Sequence, residues 1–233
     1  MEQAQKTAII TGAGSGIGLS TARKLYAAGF GLLLAGRDME KLRAAAAELP
    51  GVLTRAVDLS DSAQVESLIA EGLASLGRLD ALVNNAGWTP LKPVGSHASE
   101  EIERVFRVNA IGPCVAIAKA FPIMQRQGGG CIVNVSSMAT VDPFPGFFAY
   151  AAAKASLNLM VRSVANEGKS KNIRAYAVAP GAVETPLLRS MFSEKAIPKH
   201  RALHPDDVAQ VIVDCVLGVR EKDNGTTILV PSP

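Results

Sequence analysis

The stretch Thr7-Ala8-Ile9-Ile10-Thr11-Gly12-Ala13-Gly14-Ser15-Gly16-Ile17-Gly18 decides the fold. A short apolar run without polar alternation, residues 7–10, passes into glycine at positions 12, 14, 16 and 18, and residues 17–28 then follow a helical period. Strand, glycine turn and helix in that order open a βαβ unit. Glycines let the backbone approach a pyrophosphate closely, and the first amides of the helix, at its positive dipole end, favour the anion. Gly12, Gly14, Ser15, Gly16, Ile17 and Gly18 are therefore candidate dinucleotide contacts. The spacing is not the common G-x-G-x-x-G, because Ile17 stands where the third glycine would fall.

Outward from this stretch the same grammar repeats. Apolar runs recur at residues 31–35, 52–57, 81–83, 131–135, 173–178 and 227–230, as expected of strands covered on both faces. Segments of helical period lie between them, at 39–49, 62–76 and 206–217 among others. Parallel strands need crossovers, and these are almost always right-handed. The pattern thus predicts an α/β protein, a doubly wound parallel sheet of the Rossmann type with helices on both faces, whose ligands bind at the carboxyl ends of the strands. No Pro- or Ser-rich linker, low-complexity tract or internal repeat interrupts the chain, so residues 1–233 are expected to form a single NAD(P)-binding catalytic domain.

Composition narrows the function. Apolar residues make up 48% and charged residues 19%, the balance of a globular protein. The formal charge of +3 comes from 24 Lys and Arg against 21 Asp and Glu, scattered without a basic run, so nucleic acid is not the implied partner. Cys114, Cys131 and Cys215 each lie in an apolar stretch and are expected to be buried free thiols. The N-terminus is polar up to Thr7, unlike a signal peptide, and no window has about 18 uninterrupted apolar residues. A cytoplasmic, membrane-free protein is expected. His97, His200 and His204 lack metal-ligand spacing and are expected in surface or capping roles; no metal is implied.

The chemistry is carried by Tyr150-Ala151-Ala152-Ala153-Lys154, downstream of the run 131–135 and of Ser136-Ser137. Four-residue spacing on a helix puts phenol and ammonium on one face. A free tyrosine titrates near pH 10, so acid–base work at neutral pH asks for a stabilised phenolate, and a cation one turn away supplies that.

Together with the glycine pattern T-G-x-x-x-G-x-G, Asn84-Asn85-Ala86-Gly87, Asn109, Ser137 placed 13 residues before Tyr150, and Pro180-Gly181, this set resembles the short-chain dehydrogenase/reductase family of the classical type. The resemblance runs nearly end to end. It implies hydride transfer between a nicotinamide and a carbonyl or alcohol, as in ketone reductases, alcohol dehydrogenases or 3-oxoacyl reductases. It further implies Tyr150 as acid and base, and Lys154 lowering its pKa and holding the nicotinamide ribose. Ser137 would orient the substrate oxygen, and the Asn109 backbone carbonyl would hold a relay water. Asp58 and Leu59, Asn85, Ala86 and Gly87, and Pro180, Gly181, Val183 and Thr185 would line the cofactor, the last two orienting the carboxamide. For Asn84 and Asn85 a structural role tying loops together is as well supported as cofactor contact.

The nucleotide is chosen at the end of the second strand, where an acid accepts from the ribose hydroxyls or an Arg meets a 2′-phosphate. Gly36 stands where NAD-using members carry their acid, and Arg37 follows, so NADP(H) is favoured over NAD(H); Asp38 reads as a helix N-cap. After Thr185 the family's lid is short here. Leu187, Leu188, Met191 and Phe192, with Trp88, Met138, Phe144 and Phe147, form either an apolar substrate pocket or plain core. The C-terminus lacks the family's common Asp-Gly-Gly stretch, which weakens the expectation of a tetramer, while helices at 111–125 and 149–167 suit a dimer face. A homodimer or homotetramer is expected. Two rival readings are a catalytically silent NADP(H)-sensing protein and a Rossmann-type methyltransferase; an intact Ser-Tyr-Lys set argues against both.

Overall fold

In the computed structural model, which describes residues 5–233, the opening apolar run forms β1 (Thr7–Thr11), buried along its whole length. Residues 1–4 of the polar N-terminal stretch, on which the expectation of no signal peptide partly rests, lie outside the described residues. Six more strands follow: β2 (Gly31–Gly36), β3 (Leu53–Ala56), β4 (Ala81–Asn84), β5 (Gly130–Val135), β6 (Ile173–Pro180) and β7 (Thr227–Val230). Each lies within two residues of an apolar run in the sequence. All neighbours pair in parallel, in the order β3-β2-β1-β4-β5-β6-β7. The order reverses between β1 and β4, so the loops leaving these two strands diverge and open a crevice at their carboxyl ends.

The helices are α1 (Gly16–Ala27), α2 (Met39–Ala47), α3 (Ser62–Leu76), α4 (Ser99–Phe106), α5 (Gly112–Arg126), α6 (Phe148–Gly168), α7 (Pro186–Met191) and α8 (Pro205–Leu217). The strands lack polar alternation because both of their faces are covered. Ala8 and Ile10 of β1 face one core with Leu25 of α1, Leu42 of α2 and Ile212 of α8. Ile9 faces the other, with Leu68 of α3, Met124 of α5 and Val161 of α6. Each such Leu or Ile contributes about 1.5–3 kcal/mol relative to exposure.

The helix expected from residue 111 begins earlier, at Ser99, and runs to Arg126 through one wide turn at Arg107–Ile111, where the Gly112 amide bonds the Arg107 carbonyl. Glycine is required at 112, since a Cβ there would lie 2.5 Å from the Leu59 carbonyl oxygen. By length and apolarity residues 99–126 match a membrane span, but 56% of the apolar window is buried inside the fold, the signature of a core helix. Two expectations about side chains are corrected. Cys131 and Cys215 are buried free thiols, but Cys114 is exposed, because it falls on the outer face of α5. His204 caps α8 as expected, its Nδ1 accepting from the Asp206 amide at 3.2 Å, whereas both His97 ring nitrogens are buried beside Phe148 without a partner among the described residues.

Candidate active site

The crevice at the switch point is a cleft of about 740 Å³. Its floor is the glycine turn. Gly12 and Gly16 have φ of 67° and 53°, in the left-handed region that disfavours a side chain. A Cβ on Gly16 would lie 2.8 Å from the Thr185 methyl carbon, and one on Gly14 would lie 3.0 Å from Lys41 Cβ. Gly18 is different: its Cβ would meet the Gly12 carbonyl oxygen at 2.3 Å and Asn85 Nδ2 at 2.5 Å. It packs against the back of the turn and is not among the residues that line the cleft.

Ser15 supplies no side-chain cap to α1, and the first turn carries no acid, whereas α2, α3 and α7 are capped by Asp38, Asp61 and Thr185. The Leu19 amide bonds the Ser15 carbonyl at 3.2 Å, leaving the amides of Gly16, Ile17 and Gly18 without a partner among the described residues. An uncapped N-terminus opening on a glycine-floored cleft fits the pyrophosphate of a dinucleotide.

Asn85 ties the turn together, its Nδ2 donating to the carbonyls of Thr11 (2.9 Å) and Gly12 (3.1 Å). The Asn84 amide donates to Asn134 Oδ1 at 2.9 Å across the sheet. Asn84 thus joins β4 to β5, and Asn85 both ties the turn and lines the cleft. Asp38 caps α2 as expected, accepting from the amides of Glu40 and Lys41, and it pairs with Lys41 Nζ at 3.3 Å. Arg37 lies exposed at the cleft and forms no hydrogen bond or ion pair among the described residues. Asp58 and Leu59 line the cleft beyond it. Burial raises the Asp58 pKa, but the Ser60 amide and hydroxyl, with the charges of Arg37 and Arg104, hold it below the usual carboxylate range.

On the opposite wall, β5 ends at Val135 and delivers Ser136 and Ser137. The Ser136 hydroxyl turns inward to the Lys154 carbonyl (3.3 Å), while Ser137 Oγ accepts from the Ala139 amide (3.1 Å). Lys154 is 2% exposed, donates from Nζ to the Val135 carbonyl at 2.7 Å, and lies 5.8 Å from the Tyr150 ring centre. A Cβ on Gly87 would lie 3.5 Å from that Nζ and 3.0 Å from Asn109 Oδ1, which makes Gly87 the spacer between the two. Asn109 is fully buried in the wide helical turn. Its Nδ2 donates to the carbonyls of Trp88 (2.6 Å) and Val105 (2.8 Å), and its Oδ1 accepts from the Trp88 amide (3.2 Å). With its side chain fully engaged, only its backbone carbonyl is left for a relay.

The expected lowering of the Tyr150 pKa by Lys154 is not among the effects that shift it. Burial pushes the phenol up to about 12, opposed only by the Ser137 hydroxyl, and burial pulls Lys154 down to about 8. Desolvation penalises both charged forms, and the ammonium donates to the Val135 carbonyl.

Past β6, Pro180, Gly181, Val183 and Thr185 line the cleft, with Ala86 and Gly87 across from them. The Thr185 hydroxyl donates to the Val183 carbonyl (3.1 Å) and accepts from the Leu188 amide (3.2 Å), capping α7, so its donor is engaged within the chain. Three residues near this wall have no signal in the sequence. Ser232 Oγ accepts from the Ala182 amide at 2.7 Å, latching the turn after β6 to the segment after β7. The Arg189 guanidinium grips the Glu184 carboxylate with both arms and donates to the carbonyls of Ile197 (2.8 Å) and Phe192 (3.4 Å). The eight side chains left open between pocket and core, Trp88, Met138, Phe144, Phe147, Leu187, Leu188, Met191 and Phe192, all line the cleft.

A parallel doubly wound sheet whose switch-point cleft joins an uncapped glycine turn to a Ser-Tyr-Lys wall is that of a Rossmann-type, dinucleotide-dependent oxidoreductase. Residues 6–196 match the model of the short chain dehydrogenase family. The chain is 36% identical over 220 residues to a 3-oxoacyl-(acyl-carrier-protein) reductase of Thermotoga maritima, covering 89% of each. It is 32% identical to 3beta-hydroxysteroid dehydrogenase 1 of Eggerthella lenta, covering 97% of this chain and 92% of that one. The crystal structure of a 3-ketoacyl-(acyl-carrier-protein) reductase from Brucella melitensis complexed with NADH superposes with a TM-score of 0.91 at 30% identity, covering 98% of both chains. The chain belongs to the short-chain dehydrogenase/reductase family, and it is an oxidoreductase of that family.

Proposed function

We propose that the chain, folded as one catalytic domain, is an NADP(H)-dependent reductase of small-molecule carbonyls, working reversibly on the corresponding alcohols. The observation that carries this reading is the gathering of Ser137, Tyr150 and Lys154 on one wall of the glycine-floored cleft. The bound dinucleotide supplies or receives the hydride. The protein's own part is to hold the oxygen and move its proton. Ser137, whose lone pair takes the Ala139 amide, keeps its hydrogen for the substrate oxygen. Tyr150 is the phenol that gives its proton to that oxygen in reduction and takes it back in oxidation. The tyrosinate left behind is the charge that the Lys154 ammonium then stabilises, and the Asn109 backbone carbonyl would hold the water that returns a proton.

The preference for NADP(H) rests on Arg37, a guanidinium at the cleft without an ion-pair partner among the described residues, beside Gly36, which has no carboxylate to repel a phosphate. Gly12, Gly14, Ser15, Gly16 and Ile17 would hold the pyrophosphate. Tyr150→Phe should abolish nicotinamide-monitored turnover while NADPH still quenches or shifts protein fluorescence; retained turnover refutes the role. The outer faces of α5 and α6 form an apolar groove of about 520 Å³ lined by Ile117, Phe121, Leu159 and Met160, with Leu159 exposed. This supports a homodimer through these helices, and light scattering that found only monomer at micromolar concentration would overturn it.

A further inference from the structure

Resting on the carbonyl-reductase reading above, we infer that the substrate is an uncharged, flat, ring-bearing ketone or its secondary alcohol. The cleft divides into two halves of different chemistry. The half that begins at the glycine turn carries Arg37, Asp38, Lys41 and Asp58. The half beyond Ser137 and Tyr150 is lined by Met138, Phe144, Phe147, Leu187, Met191 and Phe192. Its charged groups among the described residues are Lys154, engaged with the Val135 carbonyl behind Tyr150, and Asp142, exposed at the rim. A carboxylate, phosphate or sulfate brought here finds no free cation to replace its water and meets the Asp142 charge, so burying it is unfavourable.

The wall is aromatic in a continuous series that starts at the reacting phenol. The Phe147 ring lies 5.3 Å from that of Tyr150, inclined at 44°. The Phe192 ring lies 6.3 Å from Phe147 at 76°, and Phe144 stands edge-on to Phe192 at 5.6 Å and 90°. Rings arranged at these offsets present faces and edges to a further ring, an attraction that a saturated linear chain does not share. Phe144, which lines the cleft, is nonetheless 57% exposed. An aromatic ring left exposed on the wall of a binding cleft is one that a bulky apolar ligand can cover. A ring system whose carbonyl reaches Tyr150 covers Phe144 with its far edge.

The test is kcat/KM for three ketones with the full chain and NADPH: a bicyclic aryl ketone such as a tetralone, its ring-carboxylate derivative, and a linear ketone of equal carbon number. The tetralone is expected to exceed the linear ketone by about tenfold, the value of one or two ring contacts, and the carboxylate by more. Phe144→Ala should erase most of the ring-over-linear ratio through KM, and Phe144→Tyr should retain it. Because Phe144 is largely exposed, the variants stay folded. A linear or carboxylated ketone reduced as well as the tetralone overturns the substrate class and leaves the reductase reading standing. No reduction of any of the three, with NADPH bound, overturns both.

Discussion

Replacing Lys154 with Met should make the ligand-free protein more stable while ending turnover. The ammonium is almost fully buried, with one hydrogen bond, to the Val135 carbonyl. Burial lowers its pKa from 10.5 to about 8, a difference of about 3 kcal/mol between folded and unfolded chains. The unfolded chain binds more protons between pH 8 and pH 10.5, so this group's contribution to stability rises with pH across that window and its penalty is full below pH 8. Methionine fills nearly the same volume without the charge, at a loss of about 1 kcal/mol for the bond to Val135. The net gain at pH 7 is about 2 kcal/mol, or about 4–8 °C in Tm for a chain of this size. Thermal unfolding of parent and variant, followed by circular dichroism at pH 7 and at pH 10.5 without nicotinamide, measures it. The variant's advantage should be largest at pH 7 and should turn, at pH 10.5, into a deficit of up to about 1 kcal/mol, the bond to Val135. A variant no more stable at pH 7, or an advantage that does not shrink with pH, refutes the claim that the site holds a desolvated ammonium.

Arg37→Ala should weaken NADPH binding by about tenfold or more, the loss of one charge-assisted contact, with little change for NADH; fluorescence titration with both reads the ratio, and equal losses would refute the phosphate role. Asn85→Ala removes the two hydrogen bonds that pin Thr11 and Gly12, so it should cost about 2 kcal/mol of stability by denaturant unfolding and raise the KM for the nicotinamide cofactor. An unchanged unfolding midpoint would count against the tie.

The strands were legible because a parallel strand buried on both faces has only one way to look in sequence, and the apolar run at 173–178 extends by only Ala179 and Pro180 in the fold. The catalytic wall was legible for a similar reason: helix geometry alone places Tyr150 over Lys154, and strand alternation alone sends Ser136 inward and Ser137 to the cleft. What the sequence concealed depends on long-range contact. Gly18 reads as one more cradle glycine until Asn85, 67 positions away in the chain (85 − 18), is seen against it. The wide turn at Asn109 leaves only a faint local mark, Pro113, which has no N–H to offer the Asn109 carbonyl four positions back. The direction of the Tyr150 pKa followed from how dry the wall is, a property of the packed fold that residue spacing does not encode.

The single guanidinium of Arg189 fastens both ends of the strap over the cleft, at Glu184 before it and at Phe192 and Ile197 after it. The strap's frame is thereby uncoupled from its inner surface. Side chains at 187, 191 and 192 are free to be exchanged for smaller, larger or polar ones without the arch collapsing, so new specificities are reachable by changes at the lining alone. Loss of the staple would instead remodel every one of those positions together.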